Sequence, residues 1–161
     1  MKIKVLFVCL GNICRSPLAE GIFKHMVKLR NLTSYIQADS AGTASYHIGE
    51  PPYYLSLQVA ENHGIRLEHR AQQLKRQHLD EYDYILVMDE MNLRDVLRLA
   101  GKASYKAKIM KMRQFDDQQS SQDVEDPYGY KLPIFEACYQ ILHESCANFL
   151  DYLIQKHSLG S

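Results

Sequence analysis

Lys2-Ile-Lys-Val-Leu-Phe-Val-Cys9-Leu-Gly11-Asn-Ile-Cys-Arg15-Ser-Pro17 begins as an apolar, β-branched run and breaks off at Gly11-Asn12. An unbroken apolar run of this length, stopped by a turn signal, predicts a strand buried on both faces. Ser16-Pro17 then offers an N-cap with proline at the first helical position. Leu18, Ile22, Phe23, Met26 and Val27 recur with helical spacing and make one apolar face, so a helix is expected over 17–30. The stretch therefore reads as strand, loop, helix, with Gly11 expected to relieve a tight loop.

The same unit repeats downstream. A short strand is expected over 36–40, a helix over 55–63 ended by Gly64, and a strand over 84–88. Asp89 reads as the cap of a helix through Leu99 that Gly101 closes. A strand over 107–112, a polar stretch over 116–126 and a long helix from 133 to about 156 complete the chain. Alternating β and α elements predict an α/β fold: one three-layer domain over 1–157 with a four-stranded parallel sheet flanked by helices, and a short tail, 158–161. Ligand sites in such sheets lie beyond the carboxyl ends of the strands, which points to the loop 9–16.

The chain has 161 residues, enough to bury a core without disulfides or metal. Nineteen basic and nineteen acidic residues cancel, and no block of like charge marks a nucleic-acid or membrane partner. The apolar start lacks a small-residue cleavage site and suits a strand better than a signal peptide. Four cysteines, Cys9, Cys14, Cys138 and Cys146, are too few and too irregularly placed for a secreted disulfide framework. A reducing cytoplasm is the expected setting.

The loop carries the chemistry. A cysteine ends the strand and an arginine opens the helix, so backbone N–H groups and a helix dipole should converge on one point, the arrangement that binds a phosphate-like anion. The same field favours a thiolate at Cys9. Arg15 can grip two phosphoryl oxygens with its fork, and Ser16 can donate its hydroxyl to the sulfur. No Gly-Lys-Ser/Thr pair supports a nucleotide loop, and a single glycine excludes a dinucleotide fingerprint. A leaving oxygen needs a proton, and Asp126-Pro127-Tyr128-Gly129 is a turn able to present a carboxyl, with Asp123 and Glu125 as neighbouring alternatives.

With these residues in view, the chain resembles the low molecular weight protein tyrosine phosphatase family. The resemblance runs through Val8–Glu20, Asp39-Ser-Ala-Gly-Thr43, Asp83–Glu90 and Asp126–Gly129, in the family's order. It implies Cys9 as nucleophile, Arg15 as phosphate clamp and Asp126 as general acid and later base. Leu10, Gly11, Asn12, Ile13, Cys14 and Ser16 would line the anion, and Tyr46 and Tyr128 would wall a slot for an aryl group. Asn12 would be braced by Ser40 and His69, with Asp89 in support as well as capping its helix. The implied partners are phosphotyrosine proteins or small aryl phosphates, with no cofactor and no metal.

The chain departs from the family's pattern twice: Gly129 comes one residue early, and Tyr53 stands where an aspartate is common. Two other functions use a similar loop. A thiol-linked arsenate reductase passes oxidation to further cysteines, but Cys138 and Cys146 lie eight apart on a helix, about 12 Å along its axis, too far to pair. They read as core packing on the stripe Ile134, Cys138, Ile141, Phe149, Leu153. A non-catalytic phosphotyrosine-binding module would need neither the cysteine nor an acid.

Overall fold

The computed structural model describes residues 2–101, 103–116 and 122–160. Met1, Lys102, residues 117–121 of the expected polar stretch and Ser161 of the expected tail lie outside the described residues. Four strands, β1 (Ile3–Cys9), β2 (Ile36–Gly42), β3 (Tyr84–Val87) and β4 (Ile109–Lys111), form one parallel sheet in the order β2-β1-β3-β4. The helices are α1 (Arg15–Leu29), α2 (Tyr54–Asn62), α3 (Arg76–Glu81), α4 (Glu90–Ala100) and α5 (Leu132–His157).

Side chains along β1 alternate between two cores. Val5, Phe7 and Cys9 face a core shared with Leu18, Ile22 and Phe23 of α1 and Phe135, Cys138, Cys146 and Phe149 of α5. Leu6 and Val8 face a second core with Leu79 of α3 and Val96 and Ala100 of α4. Phe7 meets Phe23 edge-on at 5.4 Å, and Phe23 meets Phe149 at 5.6 Å. Both faces of the central strand are thus covered, which is why its sequence is apolar without alternation.

Because β2 and β3 pair on opposite sides of β1, the chain reverses direction across the sheet at β1. That reversal opens a crevice at the carboxyl end of β1, where residues 9–14 lie.

Several element boundaries differ from expectation. The first helix starts at Arg15, with Cys14 rather than Ser16 at its N-cap; the Ser16 hydroxyl is bound to Cys9 and Asn12 instead of a helix amide. The last strand is shorter than 107–112, because residues 103–108 coil into a 3-10 helix before it. Helix α3 was not expected; at six residues it is too short to show a helical period. Asp89 does cap α4, its Oδ1 accepting the Asn92 N–H at 2.8 Å. Of the stripe on α5, Cys138 and Cys146 are buried, whereas Ile134 in the first turn is 47% exposed.

Candidate active site

The loop 9–14 is held from behind by Asn12. Its φ of 57° puts it in the left-handed region, which asparagine tolerates better than most residues. Gly11 is not the strained position expected. Its missing side chain instead makes room for His47, whose Cδ2 would stand 3.0 Å from a Cβ there. Gly42, at the end of β2, is needed for a close approach: a Cβ would meet the Leu10 carbonyl at 2.8 Å.

Asn12 braces the loop through every polar atom of its side chain. Nδ2 donates to Ser16 Oγ at 2.8 Å and Ser40 Oγ at 3.0 Å. Oδ1 accepts from the Gln72 N–H at 2.9 Å and from His69 Nε2 at 2.8 Å. The Ser40 hydroxyl donates to Glu20 Oε1 at 2.6 Å, and His69 Nδ1 lies 3.3 Å from the same oxygen. A buried chain therefore runs from Glu20 through Ser40, Asn12 and Ser16 to Cys9.

At the front, Cys9 Sγ receives the Asn12 N–H at 3.3 Å and stands 3.0 Å from Ser16 Oγ. Since Ser16 already accepts from Asn12, its O–H is free to donate to the sulfur. The other three thiols are of a different kind: burial pushes Cys14, Cys138 and Cys146 well above the ordinary cysteine value and keeps them protonated.

Arg15 is 2% exposed and held on one side only. Nη1 donates to Asp89 Oδ2 at 2.6 Å and to the Val124 carbonyl at 2.8 Å. Nη2 lies 3.7 Å from Asp126 Oδ2, and Nε has no hydrogen-bond partner among the described residues. Burial alone would lower its pKa, but Cys9, Asp89 and Asp126 outweigh that and raise it, so it stays charged. The Nε and Nη2 edge is the pair of donors that suits a tetrahedral anion.

These groups line a cavity of about 240 Å³ with Leu10, Gly11, Ile13, Cys14, Tyr46, His47 and Tyr128. Asp126 is the single carboxylate among its described lining residues. Its Oδ1 accepts the Tyr128 N–H at 3.1 Å, a local turn that aims Oδ2 toward Arg15. Of the alternatives, Asp123 is taken up by Lys111 at 2.6 Å and by the Glu90 N–H, and Glu125 does not line the cavity.

The structure brings the sequence-predicted residues together: Cys9–Ser16, Tyr46, Asp126 and Tyr128 at the cavity or its loop, and Ser40, His69 and Asp89 behind it. Glu20, Gln72 and His47 were missed. Glu20 sits one turn after Ser16 on α1, a carboxylate on a buried stripe, and that spacing was the available signal. The other two come from loops distant in sequence and gave none.

A sequence model for the family described as low molecular weight phosphotyrosine protein phosphatase matches residues 4–159. The chain is 43% identical over 148 residues to a rat protein of that name, covering 91% of this chain and 93% of the relative. It resembles a crystal structure of a protein tyrosine phosphatase from Entamoeba histolytica with Hepes in its active site, at a TM-score of 0.91 and 34% identity, covering 98% of this chain and 100% of that one. It also resembles a Drosophila arginine phosphatase, at a TM-score of 0.87 and 36% identity, covering 93% of this chain and 97% of that one.

Proposed function

The chain belongs to the low molecular weight phosphotyrosine protein phosphatase family, and we propose that it hydrolyses phosphotyrosine and other aryl phosphate monoesters through a phosphate held covalently on Cys9. The observation that carries this reading is the one-sided anchoring of Arg15. Nη1 is fixed by Asp89 and Val124, which leaves the Nε and Nη2 edge beside the nucleophile for two equatorial oxygens of the transferring phosphoryl group.

The course follows from the geometry. Cys9 attacks phosphorus as a thiolate, and the bond to the aryl oxygen breaks. Asp126 gives its proton to that oxygen, so the phenol leaves neutral. Asp126, now a carboxylate, takes a proton from the water that attacks the phospho-cysteine, and phosphate departs. The hydroxyl of Ser16 donates to the sulfur and eases its departure in this second step. Charge spreads over the phosphoryl oxygens in both transition states, and the Arg15 fork meets it there.

Tyr46 and Tyr128 offer aromatic walls, and Asp126 is the one carboxylate among the described lining residues, so an aromatic leaving group fits better than a guanidinium that needs several acceptors. No helix among the described residues is long and apolar enough to cross a membrane. Four free, buried cysteines suit a reducing cytoplasm in which phosphotyrosine proteins are the partners.

Turnover of p-nitrophenyl phosphate and of a phosphotyrosine peptide, with Cys9→Ser as control, tests the reading. The wild type should turn over both, and Cys9→Ser should retain less than a few per cent because an alcohol is a far weaker nucleophile. Retained activity in Cys9→Ser removes the covalent mechanism, and a phosphoarginine peptide cleaved faster than the phosphotyrosine peptide removes the substrate assignment.

A further inference from the structure

Tyr53 lies outside the cavity and outside every residue assigned a role above, yet it joins three parts of the site. Its N–H donates to the Ile13 carbonyl at 2.8 Å, which fixes its backbone to the anion-binding loop. Its ring stacks on buried Phe135 of α5, with centroids 5.6 Å apart and planes 17° from parallel. The same ring meets Tyr128 at 5.0 Å.

Tyr128 matters because of what it holds. Its N–H bonds to Asp126 Oδ1, so the direction of the Asp126 carboxyl depends on where the Tyr128 backbone stands. Asp126 is loosely held: its side chain is 42% exposed, and its other oxygen reaches Arg15 only at an ion-pair distance of 3.7 Å. Pro127 is buried and anchors the turn, but proline has no N–H with which to orient the carboxyl. Gly129 follows with a φ of 90°, a backbone conformation that favours glycine. The two departures from the family's pattern, Tyr53 and Gly129, thus bear on one residue: Tyr53 packs on the Tyr128 ring, and Gly129 follows Tyr128 in the chain.

We propose that Tyr53 is a positioning residue for catalysis: its ring, backed by Phe135, holds Tyr128 and so keeps the Asp126 carboxyl aimed at the leaving oxygen. The proposal rests on the assignment of Asp126 as general acid. The ring does the holding, because the contacts to Phe135 and Tyr128 are both made by the ring. A small misplacement of a proton donor is enough to cost one or two orders of magnitude in rate, and it costs most where the leaving group most needs the proton.

The test is single-turnover release of phenol from phenyl phosphate and of p-nitrophenol from p-nitrophenyl phosphate. It compares wild type, Tyr53→Phe, Tyr53→Leu, Asp126→Asn and Tyr53→Leu/Asp126→Asn. Tyr53→Phe should stay within about two-fold of wild type on both esters. Tyr53→Leu should lose roughly ten-fold on phenyl phosphate and less than about two-fold on p-nitrophenyl phosphate. In the Asp126→Asn background Tyr53→Leu should cost nothing further, since no acid remains to be aimed. If Tyr53→Leu slows both esters equally, or slows Asp126→Asn as much as wild type, Tyr53 is a packing residue and the proposal fails while the acid assignment stands. If Asp126→Asn itself shows no dependence on the leaving group, the acid assignment fails and this proposal goes with it. Should Tyr53→Leu not fold, Tyr53→Met, an unbranched side chain that fills the space without a rigid ring, carries the same comparison. A loss confined to phenyl phosphate and absent in the Asp126→Asn background supports the proposal, and an equal loss on both esters overturns it.

Discussion

Arg15 Nη1 lies 2.6 Å from Asp89 Oδ2, while the other oxygen of the same carboxylate accepts the Asn92 N–H and caps α4. One side chain therefore ties the phosphate clamp to the turn after β3. Its two jobs can be separated, because asparagine caps a helix about as well as aspartate but brings no charge to Arg15. Asp89→Asn can keep the cap but turns an NH2 toward the Arg15 donor, so kcat/KM should fall roughly 10- to 100-fold, the scale of one hydrogen bond to a charged group, and some thermal stability should go with the ion pair. Asp89→Ala should lose the same activity and about 1 kcal/mol more stability than Asp89→Asn, because the cap goes too. Equal stability of the Asn and Ala variants would show that the cap contributes nothing.

Asp126 is singled out by its place in the cavity, since Asp123 is bound to Lys111 and Glu125 does not line the cavity. Asp126→Asn should slow release of phenol by roughly 10² to 10⁴. Release of the much more acidic p-nitrophenol should suffer far less. The loss should grow steadily across a series of phenols of rising pKa, measured in a single turnover so that hydrolysis of the phospho-cysteine does not mask it. A flat series would return Asp123 and Glu125 to candidacy.

Glu20 is buried, which by itself would raise its pKa, but His69, Lys24 and Ser40 more than offset this and hold it below the ordinary 4.5. A carboxylate depressed in the folded state contributes stability above the unfolded value and loses it as pH falls through the folded one. Wild-type stability should therefore drop more steeply than that of Glu20→Gln below about pH 4.5. At pH 7 Glu20→Gln should be less stable by about 1 to 3 kcal/mol, the two curves converging in acid. Urea midpoints across this range would decide it, and parallel curves would mean that Glu20 contributes no such linkage.

Cys14 shares the loop with Cys9 and is kept protonated by burial, so it does not compete as a nucleophile. It is available for repair. Peroxide should convert Cys9 to a sulfenic acid, which Cys14 condenses with to form a disulfide and release water. Activity should then return on adding a dithiol. Cys14→Ser should recover much less, because Cys9 continues to the sulfinic acid. Equal recovery by both proteins would assign Cys14 to packing alone.

The sequence by itself determined the layout of this protein. An apolar, β-branched run without alternation, stopped by Gly11-Asn12, points to a strand covered on both faces, and alternating strand and helix units point to a parallel sheet with helices outside. The nucleophile and clamp were legible for the same reason: Cys9 and Arg15 are joined by one short loop, so local geometry alone brings them together. What lay outside local geometry was decided by the tertiary structure. Asn12, not Gly11, takes the strained conformation, because Ser40, His69 and Gln72 arrive from other parts of the chain to hold it there. Ser16 gives up the helix cap because Cys9 and Asn12 compete for its hydroxyl. Glu20, His47 and Tyr53 acquire their places only when segments far apart in sequence close around the loop. Spacing along a chain fixes neighbours within a turn or two, and contacts across the fold depend on how whole elements pack.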